Sequence, residues 1–170
     1  MVSSPGDEVK PGPGAPEDGG WVVCALGSNL GDRRAHLDMA RRRLPEDGFG
    51  WVLASPVVET PPVGGPMGQG PYLNQVLAAR AGHVSVGPEA LLDSFLRIEA
   101  AAGRVRRVRW GPRTLDIDLL FYGDRVIDGP GLTVPHPRLG ERRFVLEPLV
   151  EILPDLRHPV SGRTMRELLA

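Results

Sequence analysis

Gly103-Arg-Val-Arg-Arg-Val-Arg-Trp-Gly-Pro-Arg-Thr-Leu-Asp-Ile-Asp-Leu-Leu-Phe121 places five arginines, a tryptophan and two aspartates in one run. The run opens on a glycine that follows a helical pattern and closes as an alternating apolar strand, so it connects a helix to a strand through a charged loop. Leu115, Ile117, Leu119 and Phe121 occupy every second position, which turns Asp116 and Asp118 to the opposite face. At roughly 3.3 Å per residue their Cα atoms lie about 6.6 Å apart. Paired hard carboxylates at that separation suit Mg²⁺, and flexible side chains there can hold two ions. Arg104, Arg106, Arg107, Arg109 and Arg113 add permanent cations whose forked donors match phosphate oxygens. Acids beside so many bases make sense where a polyphosphate brings its own charge and its own metal.

Outward from this run, the helix before it starts at Pro88, shows an apolar face of Leu91 or Leu92, Phe95 and Ile98, and ends before Gly103. After the strand, Gly123-Asp124 signals a tight turn into Arg125-Val126-Ile127, and hence a hairpin. Upstream, Trp21-Val-Val-Cys-Ala-Leu26 reads as a buried strand. Asp32 caps a helix carrying Leu37, Ala40 and Leu44 that Pro45 stops. Trp51 to Thr60 and Tyr72 to Ala81 are further strands, separated by a Gly/Pro-rich loop from Pro61 to Pro71. A short helix around Phe144 to Leu153 and an amphipathic turn from Thr164 to Leu169 complete the chain. This order predicts an α+β fold, a ferredoxin-like sandwich whose mixed or antiparallel sheet is flanked by helices.

The sequence has 170 residues, which suits a single domain spanning 21–170. Residues 1–20 are rich in proline, glycine and charge with little to bury, and read as a disordered N-terminal tail. A net charge of −1 gives the whole chain no reason to adhere to nucleic acid or anionic membranes. Cys24 is the only cysteine, which excludes an internal disulfide and fits a reducing compartment. The expectation is a cytoplasmic monomer with neither nucleic-acid nor membrane partners.

Three readings of the arginine loop compete: a solvated loop, a nucleotide or RNA-binding module using Arg104 to Trp110, and a phosphate site. Trp110-Gly111-Pro112 argues against the first, because a tryptophan beside a rigid turn seldom lacks a packing or ligand role. The sequence contains no Walker-type Gly-rich loop, so side-chain arginines have to hold any nucleotide. Tyr72 and Asn74 fall on one strand face, where a ring can stack a flat heterocycle and an amide can read its edge.

Taken in order, Ala25-Leu-Gly-Ser-Asn-Leu30, Thr60-Pro-Pro, Tyr72-Leu-Asn74, Gly103-Arg-Val-Arg, Arg109-Trp-Gly-Pro-Arg-Thr-Leu-Asp-Ile-Asp118, Val134-Pro-His136 and Arg142-Arg-Phe144 resemble the 6-hydroxymethyl-7,8-dihydropterin pyrophosphokinase family of folate biosynthesis. The resemblance covers Trp21 to the C-terminus. It implies transfer of diphosphate from ATP to the hydroxymethyl group of a reduced pterin, with release of AMP. It implies two Mg²⁺ ions, bound with ATP, on Asp116 and Asp118, and catalytic roles for these acids with Arg104 and Arg113. ATP contacts then fall to Arg106, Trp110, Arg113, Leu119, Thr133, His136 and Arg142. Pterin contacts fall to Thr60, Pro61, Val63, Tyr72, Asn74 and Phe144, with Tyr72 and Phe144 sandwiching the ring. Two departures from the family pattern stand out. Only Arg107 and Val108 separate Arg106 from the Arg109-Trp110 pair, which implies a shorter lid, and Pro137 follows His136 where some members carry an aromatic.

Overall fold

The computed structural model describes residues 20–105 and 109–170. The expected tail, apart from Gly20, lies outside these residues, as do Arg106, Arg107 and Val108. In chain order the elements are β1 (Trp21–Ser28), α1 (Arg33–Glu46), β2 (Leu53–Ala54), β3 (Val58–Thr60), β4 (Tyr72–Arg80), α2 (Pro88–Ala101), β5 (Asp116–Tyr122), β6 (Ile127–Gly129), β7 (Leu132–Val134), α3 (Arg143–Ile152) and α4 (Met165–Leu169). The main sheet runs β2-β4-β1-β5 with β3 beside β2 on the same flank of β4, and all its pairings are antiparallel. This is the ferredoxin-like order expected from the sequence.

β1 reads as an unbroken apolar run because both of its faces are covered. Val22, Cys24 and Leu26 join one core with Leu37 and Leu44 of α1 and Leu91, Phe95 and Ile98 of α2. Val23 and Ala25 join a second core with Val145, Leu146 and Leu149 of α3 and Met165 of α4. The helices therefore form two layers, one on each face of the sheet. Asp32 caps α1 by accepting from the Ala35 amide at 3.1 Å, and Thr164 and Glu167 cap α4 reciprocally.

Four local expectations are corrected. The strand expected over Trp51 to Thr60 is two short strands, because Pro56 has no amide to give to β4 and Ser55 instead accepts from the Val76 amide through its hydroxyl. The hairpin is β6–β7, turning at Pro130-Gly131, and Gly123-Asp124 is only the turn that leaves β5. α1 passes Pro45 and ends at Glu46: Pro45 has no N–H to give the Arg41 carbonyl, which accepts instead from Trp51 Nε1 at 2.9 Å, so the last turn tolerates the proline. Finally, β5 does not alternate to its end. Cys24 pairs with Leu119 while Val23 pairs with Phe121, so Leu120 is an extra residue, and Phe121 is turned into the α3 core instead of joining Ile117 and Leu119 on the α2 side.

Candidate functional site

Sheet register brings the two halves of the site together. Gly27 pairs with Asn74 on one side and Asp116 on the other, and Ala25 pairs with Val76 and Asp118 in the same way. Residues in one register row share a face, so Asn74, Asp116 and Asp118 all point to the α3 side. Two strand spacings put Asn74 and Asp116 about 10 Å apart at Cα. Gly27 forms the floor between them, and a Cβ there would rest 3.5 Å from both Asn74 Oδ1 and the Tyr72 ring.

Over this floor lies a cavity of about 520 Å³. All six residues assigned to the pterin line it: Thr60, Pro61, Val63, Tyr72, Asn74 and Phe144. Trp110, Arg113, Asp116, Asp118 and Arg142 line it as well. Leu119, Thr133, His136 and Arg104 do not, and Arg106 lies outside the described residues. Leu119 points into the α2 core. Asn74 Nδ2 donates to Thr60 Oγ1 at 2.6 Å, which fixes the amide in the cavity wall.

The acids are held by arginines. Asp116 accepts from Arg104 Nη1 and Arg113 Nη1, each at 2.8 Å, and Asp118 accepts from Arg142 Nη1 at 3.1 Å. Burial and the neighbouring Asp116 charge hold the Asp118 carboxyl above the usual range, and Arg142 opposes them. Crowded negative charge of this kind, facing a cavity, fits a divalent cation. Among the described residues no cluster of three or more His, Cys, Asp or Glu forms a metal cage. Mg²⁺ keeps water and substrate phosphate oxygens in its shell and needs only one or two carboxylates. Arg104 and Arg113 both turn onto Asp116.

Two loops close over the cavity. Gln69 Nε2 donates to the Trp110 carbonyl at 3.0 Å, and the Trp110 ring packs on Gly64 while Trp110 itself stands at φ 57°. Asn29 ties both loops to β1: its Nδ2 donates to Gln69 Oε1 and to the Gly70 carbonyl, each at 3.2 Å, and its Oδ1 accepts from the Arg113 amide at 2.8 Å. His136 is anchored by its amide on the Leu120 carbonyl at 3.0 Å, at the bulge of β5. Sequence reasoning assigned no role to Asn29, Gln69 or Glu99. The one available signal was Glu99 itself, an acid four residues after Phe95 on the apolar stripe of α2.

A ferredoxin-like frame with one cavity lined by aromatic rings, paired acids and arginines fits a phosphate-transferring enzyme. Residues 23–154 match the family described as 7,8-dihydro-6-hydroxymethylpterin-pyrophosphokinase. A 2-amino-4-hydroxy-6-hydroxymethyldihydropteridine pyrophosphokinase of Pseudomonas aeruginosa is 44% identical over 152 residues, covering 88% of this chain and 90% of that one. A protein of the same name from Methylorubrum extorquens is 45% identical over 150 residues, covering 88% and 91%. Among solved structures, the Plasmodium falciparum HPPK-DHPS with pteroate aligns at TM-score 0.67 and 16% identity, over 88% of this chain and 42% of that chain, which speaks for the fold alone. The chain belongs to the 7,8-dihydro-6-hydroxymethylpterin-pyrophosphokinase family and is a pyrophosphokinase of folate biosynthesis. No helix among the described residues is long and apolar enough to cross a membrane.

Proposed function

We propose that this chain, acting as a cytoplasmic monomer, moves the β,γ-diphosphate of ATP onto the hydroxymethyl oxygen of 6-hydroxymethyl-7,8-dihydropterin, with two Mg²⁺ ions held at Asp116 and Asp118. The observation that carries this reading is the register row in which Asn74 and Asp116 flank Gly27 over one cavity. That row supports a reading in which the heterocycle lies over Asn74 and Tyr72 and the phosphates with their metal lie over the acids, side by side on one sheet face.

In the reaction the hydroxymethyl oxygen bonds to Pβ, the bond from Pβ to the α,β-bridging oxygen breaks, AMP leaves with that oxygen, and the hydroxyl proton passes to solvent. Transfers of this kind depend on alignment and charge neutralisation rather than on a protein nucleophile. Bound Mg²⁺ supplies charge neutralisation on the phosphate oxygens. Tyr72 and Phe144 sandwich the pterin, and Asn74, Thr60, Pro61 and Val63 read its edge. Arg113 and Arg142, which now neutralise the acids, exchange carboxylate for phosphate partners of the same geometry. Arg104 and Arg106 complete the phosphate contacts. Trp110 closes the lid and excludes water that would hydrolyse ATP, while His136, Thr133 and the backbone of Leu119, whose side chain lies in the α2 core, contribute to the nucleotide side.

Phosphorus NMR of ATP with the reduced pterin tests this directly. AMP and a pterin diphosphate form only with Mg²⁺ present, and ADP as the nucleotide product would overturn the reading. Asp116→Asn and Asp118→Asn each lower kcat by about 10²-fold or more with the far-UV CD spectrum retained. A near-native rate in either variant would remove that residue's metal role.

A further inference from the structure

We infer that Glu99, near the C-terminal end of α2, is a positioning residue that presents Arg104 to the phosphate site and fixes the β5 backbone between the two acids. Glu99 is only 3% exposed, and a buried carboxylate persists only where its charge and lone pairs are matched. Its Oε1 forms an ion pair with Arg104 Nη1 at 2.7 Å and accepts from the Ile117 amide at 2.9 Å. Ile117 is the residue between Asp116 and Asp118, so one oxygen holds both the guanidinium and the strand that carries the acids.

The end of α2 reinforces the grip. Gly103, at φ 78°, lets the chain reverse so that its amide reaches the Ala100 carbonyl at 3.0 Å and the Arg104 amide reaches the Glu99 carbonyl at 3.2 Å. Glu99 thus holds Arg104 through its backbone and its side chain. The same Nη1 donates to Asp116 Oδ1 at 2.8 Å. When a phosphate oxygen replaces Asp116 on that guanidinium, Glu99 keeps the group in place, and the cation acts without first being ordered. Glu99 does not line the cavity, so it acts through Arg104 and Ile117 and not on substrate.

This inference rests on the assignment of Arg104 to ATP phosphates, and a double-mutant cycle separates the two. Glu99→Gln keeps the shape and an acceptor for Ile117 but removes the charge that holds Arg104. It is expected to lower kcat by about 10- to 100-fold with KM values little changed. Arg104→Ala lowers kcat too, and the double variant Glu99→Gln/Arg104→Ala is no slower than Arg104→Ala alone, because the two act as one unit. In the ligand-free protein, hydrogen exchange at the Ile117 amide stays slow in Glu99→Gln and becomes faster in Glu99→Ala. Near-native turnover in Glu99→Gln, multiplying losses in the double variant, or unchanged Ile117 exchange in Glu99→Ala would each overturn the inference while leaving the proposed reaction standing. A near-native Arg104→Ala would instead remove the Arg104 assignment, and the inference with it.

Discussion

His136 shows how one residue near the site is tuned by its surroundings. Its Nδ1 accepts from the Arg138 amide at 3.2 Å, so the proton of the neutral ring sits on Nε2, where it can be given to an anion. Burial first, then the Arg142 charge with Arg138 in the same direction, pushes its pKa from 6.5 to about 4, against the pull of Asp116. A lowered pKa means that the folded state binds the proton less well than the unfolded chain does. The contribution to stability is therefore whole above pH 6.5 and is lost as the pH falls through about 4. Histidine ring NMR is expected to show His136 neutral at pH 6, and denaturation at pH 7 and pH 4.5 is expected to show a smaller acid loss in His136→Gln than in the parent. An equal loss in both would place the acid sensitivity elsewhere, for instance on His158, which burial also holds low. At this scale the acids were legible because a period of two residues fixes a face wherever the strand is regular. Asn29 was not, because its contact with Arg113 spans 84 residues, and Glu99 was not, because besides Arg104 it holds the Ile117 amide 18 residues on, and no local pattern encodes such contacts.

Among the elements, the two loops over the cavity depend on one another through a contact that only glycine permits. Gly65 stands at φ 79°, and a Cβ there would lie 2.2 Å from the Trp110 carbonyl and 2.6 Å from Gln69 Nε2. Gly65→Ala therefore strains its own backbone and breaks the Gln69–Trp110 hydrogen bond that joins the loops. The core clusters contain neither loop, so the expected result is a raised KM for pterin and ATP and a red-shifted Trp110 emission, with little change in melting temperature. A large loss of stability would show that the loops support the fold. That the segment from Pro61 to Pro71 is a shaped loop was legible from its glycines and prolines. Its docking against Trp110 was not, since it depends on where α2 and β5 deliver the second loop. The split of the Trp51–Thr60 strand was foreshadowed by Pro56, whereas the bulge at Leu120 left no mark in a run that is apolar throughout.

For the whole molecule, the central question is whether the two helical layers stand or fall together. β1, β4 and β5 each send side chains into both cores, so losing either layer exposes one face of every central strand to water. The layers share the site as well: α2 carries Glu99 to Arg104, and α3 begins with the Arg142–Phe144 segment that meets Asp118 and the cavity. Such a sheet predicts one cooperative transition. Trp51 packs against the α1–α2 core and Trp21 against the α3–α4 core, which gives each layer its own probe once Trp110 is replaced by Phe. With Trp21 or Trp51 as the single remaining tryptophan, the denaturant midpoints by fluorescence are expected to coincide with each other and with the CD midpoint. Leu149→Ala, a cavity in the α3 layer, is expected to cost about 2–5 kcal/mol and to lower the Trp51 midpoint as much as the Trp21 midpoint. If Trp51 kept its midpoint while Trp21 lost its own, the α3 layer would be a separately melting cover. Arg142 and Phe144 would then leave the site before the acids they face.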